Sequence, residues 1–162
     1  MLYPWTIDTV RAFNRAGLAV VVITNQSGIA RGYFGEDFVE DTHRALSLRL
    51  QAGGALIEAY YYCPHHPDGS VAPYARACDC RKPRRGLVDR AAQDLDLELP
   101  RSFVVGDKWI DVGLAQAVGM RGILVRSGTG NAEIRRRPDL RADAITDNLA
   151  AAASWILQRR EI

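Results

Sequence analysis

The sequence has little of several features that would assign a chain to a specialised class. It contains no run of about 18 apolar residues, which excludes a membrane-spanning helix. Its first residues lack the charged and then apolar layout of a secretory signal, so we expect a cytoplasmic protein. The 21 basic and 19 acidic residues nearly cancel, and the resulting net charge of +2 gives no reason to expect a nucleic-acid or membrane partner.

Cysteine is also scarce, with three residues in 162, which argues against a disulfide framework. All three lie in the pattern C-x-H-x12-C-x-C, on a proline-rich loop over residues 63–82. Thiolates and imidazoles are the preferred zinc ligands, and a structural zinc site uses four of them. The spacing therefore predicts a structural zinc site with His66 as an alternative fourth ligand. The predicted ligands are Cys63, His65, Cys78 and Cys80.

What the sequence does contain is typical of one globular domain spanning residues 1–162, with 48% apolar and 25% charged residues. Continuous β-branched runs alternate with segments of helical spacing, which predicts an α/β fold with an open, mostly parallel, Rossmann-like sheet flanked by helices. The predicted helices are 7–16, 36–51, 87–95, 109–118 and 148–159. The predicted strands are 18–23, 56–62, 102–106 and 122–125.

Two polar segments directly follow predicted strands. Thr24 to Gly28 offers a hydroxyl and consecutive backbone N–H groups, which can form an oxyanion cradle or an ordinary turn. Asp107 follows another strand, where a carboxylate can hold Mg²⁺ or simply cap a helix, and Asp111 lies one helical turn later.

A basic segment lies beside the predicted zinc site. Arg81 and Lys82 can offer positive charge to a phosphoryl group, although a solvated basic run is the plain alternative. A rigid metal anchor next to this segment favours the functional interpretation. The second basic run, 135–137, is interpreted as solvated surface.

In combination these residues resemble the haloacid dehalogenase superfamily of phosphotransferases. They resemble in particular the D-glycero-D-manno-heptose 1,7-bisphosphate phosphatases, which are relatives of histidinol-phosphate phosphatase. The resemblance extends from Pro4 to about Gly130, and the stretch Val22 to Phe34 is highly specific. The other segments that carry it are Pro4–Ile7, Tyr62–Pro67, Cys78–Pro83 and Val105–Lys108.

The resemblance implies a Mg²⁺-dependent phosphomonoesterase that works through an aspartyl-phosphate. Thr24 would bind the transferring phosphoryl group, Lys82 would neutralise its charge, and Asp107 would bind Mg²⁺ with support from Asp111. The cysteine and histidine residues match the family's zinc loop, which takes the place of a large cap domain. The implied substrate-binding residues are Asn25, Gln26, Ser27, Arg81 and Lys108.

One departure from the family pattern concerns the nucleophile and the general acid/base, which are two aspartates of a D-x-D motif that ends the family's first strand. Only 23 residues precede Thr24, and their one aspartate, Asp8, lies in a helical pattern. Asp94-Leu95-Asp96 has the right letters but lies at the end of a predicted helix, with no strand before it. We therefore expect this chain to lack the nucleophile and a central strand, through a shortened chain, a genuine pseudo-phosphatase, or a strand supplied by another chain.

The expected substrate is a small sugar phosphate, with loss of the 7-phosphate from heptose 1,7-bisphosphate as the leading interpretation. Histidinol phosphate is the alternative substrate, and a non-catalytic sugar-phosphate-binding module is the alternative of another class. The residues Gln26-Ser27-Gly28 and the six that follow them favour the heptose branch. No exposed apolar stripe requires a partner, so we expect a monomer.

Overall fold

A computed structural model describes residues 1–159 as an α/β fold in which all strand pairs are parallel. The last three residues of the predicted 1–162 domain lie outside the described residues. The strands are β1 (Val21–Asn25), β2 (Ala59–Cys63), β3 (Phe103–Gly106), β4 (Arg121–Val125) and β5 (Ala144–Thr146). The helices are α1 (Thr6–Arg15), α2 (Ser27–Ala30), α3 (Glu36–Ala52), α4 (Gly86–Leu95), α5 (Trp109–Val118), α6 (Gly130–Arg136) and α7 (Leu149–Leu157).

The predicted elements are present in the predicted order, with two α-helices, one strand and one short 3-10 helix (Leu99–Arg101) in addition. The short helix α2 lies in a segment that was predicted as loop, α6 overlaps the basic run 135–137, and β5 lies where no element was predicted. The first strand also begins at Val21 rather than Leu18. The N–H of Leu18 bonds the end of α1, and that of Val20 bonds the carboxylate of Glu58, so these residues precede the strand ladder. No helix within residues 1–159 is long and apolar enough to cross a bilayer.

Helices cover both faces of the strands, and the side chains of β4 pack alternately against one face and the other. Ile123 and Val125 belong to a core that includes residues of α1 and α7. Leu124 packs on the other face, against Trp109 of α5. Because side chains alternate along a strand, a nearly continuous apolar run is what a strand buried on both faces requires.

Helix α1 connects the two halves of the core. Its Phe13 packs in the cluster with β4 and α7, whereas its Val10 packs with Leu50 of α3. On the other face, Leu87 of α4 packs against Tyr61 of β2. The strands therefore lie between α1, α3 and α7 on one side and α4 and α5 on the other.

The strands form two separate sheets, one with the order β1-β2 and one with the order β3-β4-β5. The predicted fold class is confirmed, and within residues 1–159 no strand joins β1 to β3. Thr24 lies opposite Tyr62 in the first sheet, and Gly106 lies opposite Leu124 in the second.

The backbone shows which edges of these sheets are open. The Val20 carbonyl oxygen accepts from the Glu58 N–H at 2.9 Å, and the Gln26 N–H donates to the Cys63 carbonyl oxygen at 2.8 Å. The backbone N–H and C=O groups of the even-numbered residues of β1 are therefore directed to β2. Backbone groups alternate sides along a strand, which turns those of Val21 and Ile23 to the opposite edge. Ser102 likewise accepts from Arg121 N–H, so β3 turns the backbone groups of its odd-numbered residues away from β4. Within residues 1–159, neither of these edges pairs with a strand.

Helix α3 provides a matched test of the core. Leu50 is fully buried in the cluster with Val10, whereas Leu48 on the same helix is 63% exposed. We expect Leu50→Ala to lower the free energy of unfolding by about 2–5 kcal/mol, because it leaves a cavity. Leu48→Ala should change it by less than about 0.5 kcal/mol. Urea denaturation of both variants measures the difference, and equal effects would contradict the described packing.

Candidate active site

Three chain segments meet at the carboxyl ends of β1 and β3. They are the end of β1, the loop that follows the cysteine cluster, and the segment between β3 and α5. Lys82 connects all three. Its ammonium donates to the carbonyl oxygen of Ile23 at 3.1 Å and to Asp111 Oδ1 at 2.7 Å. The side chains of Lys82 and Asp111 are only 12% and 8% exposed, so this ion pair is largely removed from water.

The side chain of Asn25 positions the backbone of Lys82. Its Oδ1 accepts from the Lys82 N–H at 2.9 Å, and its Nδ2 donates to the Lys82 carbonyl oxygen at 3.2 Å. These two bonds use the amide as a bidentate clamp between β1 and the loop. Asn25 was predicted to bind substrate, and in this structure its amide is directed to the protein backbone.

Asp111 is held on both of its oxygens. Oδ1 accepts from Lys82, and Oδ2 accepts from the backbone N–H of Lys108 at 3.3 Å, as part of the capping box that begins α5. Gly106 makes room for this carboxylate, because a Cβ at that position would overlap it. Asp111 was predicted to support a metal ligand, and its direct contacts are with Lys82 and the backbone.

Asp107 lies beside this pair, at the end of β3. Its Oδ2 accepts from the Thr129 N–H at 2.8 Å and from the Thr129 hydroxyl at 2.9 Å. Burial by itself would raise the pKa of the Asp107 carboxyl, but the hydrogen bonds from Thr129 and the charge of Lys108 outweigh it and lower the pKa. The carboxylate is therefore ionised at neutral pH, and Oδ1 is the oxygen with which it can bind a cation.

Sequence reasoning missed Thr129. Thr129 lies in the short loop between β4 and α6, four residues after the strand ends, so it had a signal similar to that of the other predicted sites, a polar residue near the carboxyl end of a strand. No site was predicted between this strand and the basic run 135–137, so Thr129 was not considered.

The remaining predicted residues surround the same edge. Thr24 is half-buried, and its hydroxyl oxygen is 3.4 Å from Gln26 Nε2. Ser27 begins α2, and Arg81 reaches the His65 carbonyl oxygen at 3.5 Å. Lys108 is exposed at the start of α5. Their roles in binding substrate stay predictions.

The predicted zinc ligands form a tight cluster, which is the sole group of three or more metal-binding side chains found within residues 1–159. Cys63 Sγ lies 3.0 Å from Cys80 Sγ and 3.5 Å from Cys78 Sγ, and His65 Nδ1 lies 3.4 Å from Cys80 Sγ. Ligand atoms on a tetrahedral zinc ion are separated by about 3.5–4 Å, given Zn–S bonds of about 2.3 Å. The four ligand atoms lie within 4.8 Å of one another and can hold one zinc ion once the short Cys63–Cys80 contact widens. Burial raises the pKa of the Cys63 thiol, so metal binding there releases a proton.

His66, the alternative fourth ligand, is directed elsewhere. Its Nδ1 accepts from the Asp68 N–H at 3.1 Å, and its Nε2 lies 3.2 Å from Arg31 Nη2. The metal-binding cluster contains His65 instead.

The loop that carries the cluster is anchored to the helices beside it. Glu36 at the start of α3 accepts from the hydroxyls of Tyr62 and Tyr74, at 2.9 and 2.7 Å. The backbone of Ser70 donates to the carbonyl oxygen of Ala30 at 2.8 Å. The loop therefore has a fixed position relative to the segment that follows Thr24.

The two other aspartate sites considered in the sequence lie on helices. Asp8 is exposed on α1 and pairs with Arg11. Asp94 lies in the last turn of α4, where it accepts from the Tyr61 hydroxyl at 2.8 Å, and Asp96 follows the helix. Neither follows a strand, as predicted.

A largely buried lysine, a hydroxyl and an ionised carboxylate at the carboxyl ends of parallel strands form a site of the kind that binds phosphate groups in α/β proteins. Comparison with known proteins gives the family. A family profile described as HAD-hydrolase-like matches residues 79–152. The chain is 38% identical to the D-glycero-beta-D-manno-heptose-1,7-bisphosphate 7-phosphatase of Yersinia pestis, over 93% of this chain and 73% of the relative. It is 41% identical to the corresponding 7-phosphatase of Thermosynechococcus vestitus, over 96% of this chain and 82% of the relative.

A solved structure agrees with these relatives. The D,D-heptose 1,7-bisphosphate phosphatase of B. bronchiseptica, complexed with magnesium and phosphate, superposes with a TM-score of 0.86 at 30% identity. The match covers 98% of this chain and 84% of that one. The chain therefore belongs to the haloacid-dehalogenase-like hydrolases, within the family of the heptose bisphosphate phosphatases.

The buried ion pair at the site has an exposed counterpart that serves as a control. Asp111→Asn leaves the Lys82 ammonium buried without a counter-charge, and we expect it to lower the free energy of unfolding by about 3–5 kcal/mol. Asp89→Asn breaks the exposed pair with Arg85, where solvent already screens the charges, and should have a much smaller effect. Denaturation curves of the two variants check this expectation, which fails if they are equally stable.

Proposed function

We propose that this chain provides the phosphate-binding and metal-binding parts of a phosphatase that removes the 7-phosphate from D-glycero-D-manno-heptose 1,7-bisphosphate. The observation that carries the proposal is the convergence of Thr24, Lys82 and Asp107 at one edge of the two sheets. The named activity of relatives that match over most of their length supports the substrate.

Thr24 and Lys82 bind the phosphoryl group that is transferred. The Thr24 hydroxyl donates a hydrogen bond to a phosphoryl oxygen, and the Lys82 ammonium stabilises negative charge as the bond to the sugar breaks. Lys82 is suited to this task because Asp111, Ile23 and the Asn25 clamp hold it in place before substrate arrives. A fixed charge needs little reorganisation during the reaction.

Asp107 is the ligand that this chain offers to Mg²⁺. One or two carboxylates together with waters and substrate phosphate oxygens are a usual magnesium environment, and the ionised Asp107 with its available Oδ1 fits that pattern. When bound, the ion would neutralise charge on the phosphate oxygens. The relative solved with magnesium and phosphate supports this cofactor.

The sugar and the second phosphate contact residues around this centre. Gln26, Ser27, Arg81 and Lys108 are half-buried or exposed at the mouth of the site, where they can reach a small substrate. Asn25 supports the site by holding the backbone of Lys82, and its second Nδ2–H would be the group that contacts substrate. The protein acts on a small sugar phosphate as a cytoplasmic monomer.

The nucleophile comes from a strand with a D-x-D motif that pairs with the open edges of β1 and β3. Apart from the Ile23 carbonyl, which accepts from Lys82, the backbone groups on both edges support this proposal, since they are directed away from the existing partner strands and require hydrogen bonds once buried. A strand between them would end beside Thr24 and Asp107. One aspartate, as a carboxylate, would attack phosphorus to form the aspartyl-phosphate as the P–O bond to the sugar breaks, and the other, in its protonated form, would give its proton to the leaving oxygen. The second aspartate, now a carboxylate, would then take a proton from the water that hydrolyses the aspartyl-phosphate and releases phosphate.

Zinc has a structural role in this proposal. Four protein ligands leave no open position for a substrate, so the ion would serve to order the loop 63–82 that carries Arg81 and Lys82. The loop contributes one small cover over the site in place of a large cap.

Phosphate release tests the catalytic proposal. We expect no hydrolysis of heptose 1,7-bisphosphate by this chain alone, and Mg²⁺-dependent hydrolysis by a version extended upstream with a D-x-D strand. In that version Thr24→Val should lower kcat about 10²- to 10³-fold, because it removes one donor to the phosphoryl group. Thr42→Val, on the exposed face of α3, is the control.

Two results would contradict the proposed source of the nucleophile or the proposed substrate. A robust phosphatase rate from the chain alone would show that the nucleophile lies within it. A higher kcat/KM for histidinol phosphate than for heptose 1,7-bisphosphate would assign the alternative substrate.

The paired histidines test the zinc site. We expect about one zinc ion per chain in purified protein, retention of that zinc in His66→Ala, and its loss in His65→Ala, because only His65 faces the three thiols. Elemental analysis of the three proteins gives the ratio. Zinc loss in His66→Ala alone, or no zinc in the unmodified chain, would refute the assignment.

A further inference from the structure

The loop after β4 encloses the Asp107 carboxylate. Gly128 has a φ of +65°, a left-handed conformation that glycine adopts without strain, and a Cβ at this position would press on Asp107 Oδ2. Gly130 packs against the carbonyl oxygen of Val125, where a side chain would not fit. Thr129 is thus presented to Asp107 by a backbone that two glycines make possible.

Thr129 makes two donor contacts to one oxygen. Its N–H lies 2.8 Å and its hydroxyl oxygen 2.9 Å from Asp107 Oδ2. The hydroxyl oxygen is also 3.2 Å from the Asp107 backbone carbonyl, but a hydroxyl has one proton, and the shorter contact is to the carboxylate. Rotation of the carboxylate about its Cβ–Cγ bond would break both donor contacts at once.

We propose that Thr129 is a positioning residue for the magnesium ligand. It holds Oδ2 of Asp107 by two hydrogen bonds and so fixes the orientation of Oδ1, the oxygen with which the carboxylate would bind a cation. This inference rests on the proposed function, in which Asp107 binds Mg²⁺. Loss of a partner that orients a metal-binding carboxylate commonly lowers the metal affinity by about 10- to 100-fold.

The test measures metal binding without catalysis. Mn²⁺, a paramagnetic substitute for Mg²⁺, is titrated into the full chain, the free ion is followed by electron paramagnetic resonance, and Mg²⁺ is then used to displace it. We expect Thr129→Val to raise the Kd about 10-fold or more, because valine has the same shape but no hydroxyl. Thr129→Ser retains the hydroxyl and should stay within about twofold of the unmodified chain.

Two control variants separate the positioning role of Thr129 from the proposed role of Asp107 as the metal ligand. Thr146→Val removes a hydroxyl that contacts Asn148 rather than Asp107, and it should leave the Kd unchanged. Asp107→Asn should abolish the binding. Melting temperatures of all variants show whether each one is folded, and a loss of affinity that serine restores at an unchanged melting temperature supports positioning.

The outcomes distinguish two failures. If Asp107→Asn abolishes binding while Thr129→Val binds as tightly as the unmodified chain, the positioning role is wrong and the proposed metal ligand stands. If Asp107→Asn binds the ion as well as the unmodified chain, the proposed metal ligand is wrong and this inference falls with it.

Discussion

The ion pair between Lys82 and Asp111 is the contact on which the site depends, because it joins two sheets that share no backbone ladder. Lys82 comes from the loop that follows the cysteine cluster and also bonds β1, whereas Asp111 lies on the helix that follows β3. A charge pair so far removed from water is stable only while both partners are present. The pair therefore sets the relative position of the two strand ends at which phosphate would bind.

The same constraint gives the cysteine cluster its importance. The loop 63–82 has few apolar side chains of its own, and it is ordered by Glu36, by the backbone near Ala30 and by the cluster of sulfur and nitrogen ligands. Lys82 follows Cys80 by two residues, so the loop that carries the cysteine cluster also carries the ammonium that contacts Ile23 and Asp111.

Much of the fold and of the site was predictable because its signals are local. Strand β4 contains the apolar run Ile123–Val125, α5 ends at Gly119 in the left-handed conformation, and the four predicted zinc ligands are spaced as two close pairs. The elements that were missed have weak local signals. Strand β5 has three residues, and its partner β4 is more than fifteen residues earlier, so its pairing depends on a contact that no sequence window contains.

The sequence by itself determined the fold class, the order of the main elements, and which residue types follow each strand. Those properties follow from side-chain periodicity and from short spacings along the chain. The tertiary structure decided which partner each polar group has. It directed Asn25 to the backbone of Lys82, Asp111 to the Lys82 ammonium, and Thr129 to Asp107. These partners are separated by 22 to 57 positions in the chain, and hydrogen bonds over such separations form only once packing has brought the strand ends together.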